Sequence, residues 1–154
     1  MQQIFQETEF ISSYDTYDFV IGADEAGRGC LLGPLVVGAC GFFISKQCAI
    51  LANSPHEVRD SKKMMPQKRQ EVLTYLQENV NVLSSTCIMS AEFINERPGL
   101  LNVDTAEMEA LSIFEILEKL ENVPNFRELK YLIVTDALSG GHGQHVLRFL
   151  QEHL

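Results

Sequence analysis

Apolar residues recur along this chain as short runs and as helical stripes, and their order predicts an α/β fold. Four segments are typical of strands, and they cover residues 18–24, 35–44, 79–90 and 131–136. Three segments place apolar residues on one helical face, and they cover residues 67–78, 104–120 and 144–154. Because a helix precedes the fourth strand as a crossover, that strand is predicted to lie parallel to its neighbour in the sheet.

The clearest helical pattern covers residues 104–120. Its apolar stripe is formed by Met108, Leu111, Ile113, Ile116, Leu117 and Leu120. Asp104 is the predicted N-cap, because Glu107 follows three residues later as in a capping box. The acidic residues of this segment are interpreted as its solvated face, and they are Glu107, Glu109, Glu115 and Glu118.

Length and composition favour one globular domain and no membrane association. The chain has 154 residues, and no run approaches the roughly 18 consecutive apolar residues of a membrane span. Residues 1–10 have neither a basic start nor an apolar run, so no signal peptide is predicted and a cytoplasmic location is expected. Without a C-x-x-C spacing, the cysteines are interpreted as small buried hydrophobic residues in a reducing compartment, and they are Cys30, Cys40, Cys48 and Cys87.

The net charge of −9 changes the expected partners. An acidic chain lacks the basic footprint of most nucleic-acid binders, so such binding is expected to be weak and salt-sensitive unless divalent metal bridges the phosphates. The densest basic cluster is formed by Lys62, Lys63, Lys68 and Arg69. It is interpreted either as a nucleic-acid-binding patch or as an ordinary soluble loop and helix start.

Two of the predicted strands end on an acidic residue, Asp24 and Asp136. If these strands are parallel neighbours, the two carboxylates emerge at one sheet edge about 4.8 Å apart, and Mg²⁺ or Mn²⁺ would relieve their repulsion. Glu25 joins this site only if the chain turns there, which Ala26-Gly27 permits. The alternative is that the aspartates act only as turn formers or caps.

Gly27-Arg28-Gly29 follows the first acids and adds groups that suit phosphate. The glycines leave backbone N–H groups open, and Arg28 supplies a planar fork of donors. The segment matches neither the G-x-x-x-x-G-K-S/T phosphate-binding loop nor the G-x-G-x-x-G dinucleotide fingerprint. By itself it is weak support for a nucleic-acid site.

A longer pattern resembles one known family. Gly-Ala-Asp-Glu-Ala-Gly-Arg-Gly at 22–29, with Gly-Pro-Leu-Val-Val-Gly-Ala at 33–39, closely resembles the first signature of the type II ribonucleases H. Asp60-Ser61-Lys62 is similar to the next short motif of that family, and Leu101-Asn102 to the entry of its central helix. Residues 132–137 resemble the strand that carries its third acid.

The resemblance implies a ribonuclease H-like α/β fold, with a mixed β-sheet flanked by helices, formed by residues 1–154 as a single domain. The implied catalytic and metal-binding acids are Asp24, Glu25 and Asp136, with Mg²⁺ or Mn²⁺ as cofactor. The implied substrate-binding residues are Gly27, Arg28 and Gly29 around the ribose 2′-hydroxyl, and Ser61 and Lys62 on substrate phosphates. The implied reaction is endonucleolytic, metal-assisted hydrolysis of RNA in an RNA–DNA hybrid, or at a ribonucleotide embedded in a DNA duplex.

Part of the family pattern has no counterpart in these 154 residues. Members carry a fourth acid and a C-terminal helical region, and this sequence reaches Leu154 about where that segment would begin. The domain is therefore expected to be incomplete at its C-terminus, with low or no nuclease activity on its own. The alternatives are an inactive protein of this fold that binds nucleic acid or a partner, and an unrelated Mg²⁺-dependent phosphotransfer domain, which the first motif disfavours.

Overall fold

Four strands form one mixed sheet in the computed structural model, which describes residues 16–29, 32–135 and 142–153. The strands are β1 (Phe19–Ala26), β2 (Leu35–Phe43), β3 (Val82–Met89) and β4 (Tyr131–Thr135), and their order across the sheet is β3-β2-β1-β4. The first three strands pair antiparallel, whereas β4 joins β1 in parallel. The predicted parallel placement of the fourth strand is therefore confirmed.

Helices flank this sheet, and they are α1 (Gln47–Ala52), α2 (Pro66–Glu78), α3 (Ala91–Glu96), α4 (Leu101–Leu120) and α5 (His142–His153). The three predicted helices correspond to α2, α4 and α5. Helices α1 and α3 were not predicted, because six residues carry too little of a helical repeat to be recognised. None of the helices within these described ranges is long and apolar enough to cross a membrane.

Helix α4 lies against one face of the sheet and builds the main core. Alternate residues of β1 point toward it, and they are Phe19, Ile21 and Ala23. Helix α5 adds Val146 and Leu150 to the same cluster. Gly41 of β2 brings the backbone close to this core, since a Cβ atom there would lie 2.6 Å from the Phe19 ring. The lack of a side chain at Gly41 thus permits the close approach of β2 to this core.

Helix α4 corrects three predictions about its own residues. It begins at Leu101, so Asp104 lies in the first turn, only 1% exposed, and is not the N-cap. Glu109 is 0% exposed, because it shares the inward face with Ala106 and Ile113 at helical spacing, so its assignment to the solvated face was wrong. Leu111, which was assigned to the apolar stripe, is exposed.

The cysteines are less buried than their interpretation as core residues required. Cys48 is exposed on the short helix α1, whose buried residue is Ile50. Cys40 and Cys87 are partly buried within the sheet, and Cys30 lies outside the described residues. Burial raises the pKa of the Cys40 thiol, so this cysteine is expected to react slowly as a nucleophile.

Candidate active site

The first acids lie inside β1 rather than after it. The strand continues to Ala26 in register with β2, and the chain turns at Gly27. Glu25 therefore stands two residues before the turn on which its place in the site was expected to depend. Because adjacent strand residues point to opposite faces, Asp24 and Glu25 leave β1 on opposite sides.

Asp24 lies on the face of β1 that points away from helix α4, and it is exposed. It is paired across the strands with Gly38, which is paired in turn with Thr86. Gly38 is also exposed and has open space where a side chain would lie. Asp24 therefore faces an unobstructed strip of sheet, where a large ligand could approach its carboxylate.

Glu25 is held in a more enclosed position. Its side chain is 10% exposed, and its Oε1 atom lies 3.7 Å from Arg28 Nη1. Its backbone N–H donates to Asp24 Oδ1 at 2.8 Å, which ties the two acids together. The other oxygen, Oε2, is buried and has no hydrogen-bond partner among the described residues. A buried carboxylate oxygen without a partner is unfavourable, and a bound cation would remove that cost.

The glycines of the loop after β1 play different structural parts. Gly27 has φ of 88°, and a side chain there would collide with the carbonyl oxygen of Pro34. Gly29 has φ of 77°, but open space surrounds the position where a side chain would begin. Gly27 is thus required by the packing of the turn itself, whereas Gly29 leaves its backbone accessible.

Arg28 connects this loop to the first turn of α4. Its Nη2 atom donates to Asn102 Oδ1, while Nη1 faces Glu25. Asn102 was expected only as part of the helix entry, and its contact with Arg28 was missed. The two residues are 74 positions apart, so no local pattern could have indicated the contact.

Asp136, the third predicted acid, lies outside the described residues. The preceding residue, Thr135, is paired with Ala23 of β1, which precedes Asp24. The described end of β4 is therefore level with the acids of β1. Among the residues that are described, no group of three His, Cys, Asp or Glu side chains is arranged to hold a metal ion.

Ser61 and Lys62 lie in a separate 3₁₀ turn, Ser61–Lys63, before helix α2. Both residues are exposed, and Asp60 Oδ1 accepts a hydrogen bond from the Lys62 backbone N–H at 2.9 Å. Within the described parts of the chain, no hydrogen bond or ion pair joins this turn to the acids or to the Gly27–Gly29 loop. The structure thus brings together Glu25, Arg28 and Asn102, but not Ser61 and Lys62 with them.

Comparison with known proteins identifies relatives over most of the chain. The family model described as Ribonuclease HII matches residues 21–137. Ribonuclease HII of Methanocaldococcus jannaschii is 36% identical over 120 residues, which cover 78% of this chain and 49% of that protein. Ribonuclease HII of Campylobacter jejuni is 32% identical over 122 residues, which cover 79% of this chain and 55% of that protein. The chain thus spans about half the length of these curated relatives.

Solved structures with low sequence identity share the fold. A crystal structure of a mutant of Bst-RNase HIII superposes with a TM-score of 0.65 at 20% identity, covering 86% of this chain and 40% of that one. Ribonuclease H2 from Pyrococcus horikoshii OT3 superposes with a TM-score of 0.55 at 18% identity, covering 86% and 68%. These likenesses agree with the ribonuclease H-like fold predicted from the sequence.

Proposed function

This chain belongs to the ribonuclease HII family, and we propose that its acids form the centre of an endonuclease that hydrolyses RNA paired with DNA. The substrate would be an RNA–DNA hybrid or a DNA duplex that contains a ribonucleotide. The observation that carries the proposal is the pair of acids in β1, directly before the Gly27–Gly29 loop. Asp24 is open to a large ligand, and Glu25 has a buried oxygen that is unpartnered among the described residues.

Asp24, Glu25 and Asp136 are the proposed ligands of divalent metal, Mg²⁺ or Mn²⁺. Because Asp24 and Glu25 leave β1 on opposite sides, these acids would serve two ions rather than one. Carboxylate oxygens are the hard donors that these ions prefer, and the Oε2 atom of Glu25, unpartnered among the described residues, fits such a role. When bound, the metal would activate water and neutralise charge on the leaving oxygen. Within this chain, Arg28 and Asn102 keep Glu25 oriented, and Asp24 remains open to the substrate backbone.

The exposed backbone at Gly29 is the proposed contact for the ribose, because no side chain obstructs it. Gly27 would act mainly by shaping that loop, and Arg28 by connecting it to Glu25 and to α4. RNA differs from DNA in its 2′-hydroxyl, which can both donate and accept a hydrogen bond. A protein group that bonds to this hydroxyl therefore distinguishes RNA from DNA. Ser61 and Lys62 are the proposed contacts for more distant phosphates.

Cleavage of a labelled DNA duplex with one embedded ribonucleotide tests the proposal. We expect weak Mg²⁺- or Mn²⁺-dependent cleavage at the ribonucleotide, none of an all-DNA duplex, and loss of cleavage in Asp24→Asn. Weak cleavage satisfies the proposal if it depends on both the metal and Asp24. Equal cleavage of the all-DNA duplex would show that cleavage does not depend on the ribonucleotide and would contradict the proposal.

A second candidate is a catalytically inactive protein of this family that binds nucleic acid or a partner. It is favoured by the engagement of Arg28 with Asn102 and Glu25, which occupies donors that a phosphate would otherwise use. If the chain binds metal and hybrid but does not cleave the ribonucleotide-containing duplex, this candidate is supported over the enzyme.

A further inference from the structure

The basic residues near the start of α2 differ in their contacts. Lys63 Nζ lies 3.8 Å from Asp60 Oδ2, and Lys68 is exposed on the helix. Arg69 uses its Nη1 atom to donate to two backbone carbonyls, those of Ser61 and Met64, each at 2.9 Å. Arg69 is therefore engaged with the turn that precedes its own helix.

Two backbone hydrogen bonds form the turn from Asp60 to Met64, donated by the N–H of Lys63 to the carbonyl of Asp60 and by the N–H of Met64 to the carbonyl of Ser61. Only Met64, at the end of the turn, is buried, so side-chain contacts must hold the turn against the rest of the chain. The Asp60 carboxylate accepts a hydrogen bond from the backbone N–H of Lys62. Arg69 donates to the backbone carbonyls of Ser61 and Met64. The two charged side chains thus fix the backbone on both sides of Lys62.

Lys62 is the residue that this arrangement presents to solvent. Its side chain is exposed and makes no hydrogen bond or ion pair with any described residue, unlike Lys63 and Arg69. A lysine held at a defined place is suited to bind a phosphate when its ammonium is not already paired with a described carboxylate.

We propose that Arg69 is a positioning residue for nucleic-acid binding, which acts by fastening the Asp60–Met64 turn so that Lys62 meets a phosphate of the substrate. The proposal rests on the proposed function, since it assumes that RNA–DNA hybrid is bound. Arg69 itself does not contact the substrate. Its charge matters less than its guanidinium, whose Nη1 atom donates to both carbonyls from a rigid group, where the shorter side chain and rotating ammonium of lysine would hold them less firmly.

The test is metal-free binding of a labelled RNA–DNA hybrid over a range of salt concentrations that begins at low ionic strength, where contacts with phosphates are strongest. This measurement does not depend on cleavage. We expect Arg69→Lys to weaken binding roughly tenfold, the order of one charge-assisted contact, and to lower the salt slope by about one phosphate. Lys62→Ala should do the same. In the Lys62→Ala background, Arg69→Lys should have little further effect, because the lysine that it positions is already absent.

Lys68→Ala is the matched control, since it removes one positive charge from the neighbouring position without touching the turn. If Arg69→Lys binds like the unaltered chain, or if Arg69→Ala and Lys68→Ala weaken binding equally, Arg69 acts only through its charge and the inference is wrong. If Arg69→Lys does not fold, Arg69→Gln is compared with Lys68→Gln, since both remove one positive charge. Arg69→Gln must then weaken binding more than Lys68→Gln, and the excess must vanish in the Lys62→Ala background. Failure of the unaltered chain to bind hybrid would instead contradict the proposed function.

Discussion

At the scale of single residues, Gly27 and Gly29 share a left-handed backbone but differ in their surroundings. We predict that Gly27→Ala costs about 3 kcal/mol of unfolding free energy, from backbone strain together with the collision at Pro34. Gly29→Ala should cost about 1 kcal/mol, from strain alone. Urea denaturation of both variants measures the difference, and equal costs would contradict this account of the turn.

Although Gly29→Ala should cost less stability than Gly27→Ala, it should reduce cleavage more when both variants are folded. The added methyl group points into open space where the ribose is proposed to approach. We expect cleavage at an embedded ribonucleotide to fall strongly in Gly29→Ala under conditions where the variant is fully folded. Unchanged cleavage would remove Gly29 from the proposed substrate contacts.

The His56–Glu71 pair predicts a local pH dependence. The hydrogen bond with His56 Nε2 holds the pKa of the Glu71 carboxyl below its ordinary value of 4.5. A lowered pKa means that the pair stabilises the folded chain above the ordinary value, and that this contribution is lost as pH falls through the lower folded-state value. The stability difference between the unaltered chain and Glu71→Gln should therefore shrink on acidification.

Urea denaturation at several pH values, from just above the ordinary value of 4.5 downward, checks this prediction. His56→Ala is the matched control, because it removes the same hydrogen bond from the other side and should give the same pH profile as Glu71→Gln. If the difference in unfolding free energy between the unaltered chain and Glu71→Gln grows as pH falls through this range, the pKa of Glu71 is not lowered in the folded chain.

At the scale of elements, Arg97 joins the short helix α3 to the long helix α4. Its guanidinium binds the buried carboxylate of Asp104 at 2.8 Å and lies over the Phe93 ring at 5.2 Å. This pair also explains why Asp104 is buried in the first turn of α4 instead of capping it. Neither contact follows from helical periodicity, which describes one element at a time.

Removal of Arg97 should therefore destabilise the α3–α4 junction. Loss of one partner from a fully buried pair costs roughly 3–5 kcal/mol, and because Arg97 is 38% exposed we predict about 2 kcal/mol for Arg97→Ala. In the Asp104→Asn background the same change should cost less, since no buried charge is left unpaired. Urea denaturation of the four chains measures this coupling, and additive effects would contradict it.

The longer elements could be predicted from the sequence because each carries several repeats of its own pattern. Helix α2 and strand β2 were predicted to within one residue at each end. Strand β1 was predicted to end at Asp24, yet it continues to Ala26 because pairing with β2 extends past the acids. The ends of elements depend on tertiary partners, and the sequence of one segment does not reveal those partners.

At the scale of the whole molecule, the candidate site was predictable in composition but not in arrangement. The motif at residues 22–29 indicated the acids and the glycine loop, whereas the Asn102 contact and the continuation of β1 past Asp24 emerge only when distant segments pack. Asp136 and its proximity to Asp24 stay a prediction, as do the proposed roles of Ser61 and Lys62.

The proposed metal site predicts stabilisation of the folded chain by Mn²⁺. A ligand that binds only the folded state adds about 2.7 kcal/mol at roughly one hundred times its dissociation constant, so the thermal midpoint should rise with Mn²⁺. Asp24→Asn and Glu25→Gln should abolish the rise, while Glu118→Gln, at an exposed position of α4, should retain it. An equal rise in all four chains would indicate nonspecific binding to an acidic protein.

The parallel pairing of β4 with β1 also determines the order in which the chain can fold. Strands β1, β2 and β3 can pair as consecutive antiparallel neighbours, but the Asp18–Lys130 hydrogen bond at the start of the β1–β4 pair joins residues 112 positions apart. Contacts of such high sequence separation form slowly. Until β4 docks, β1 presents a row of unpaired backbone groups to which another copy could attach. The edge that receives β4, and with it the acidic centre, is therefore expected to be the last part of the sheet to mature and the first to aggregate.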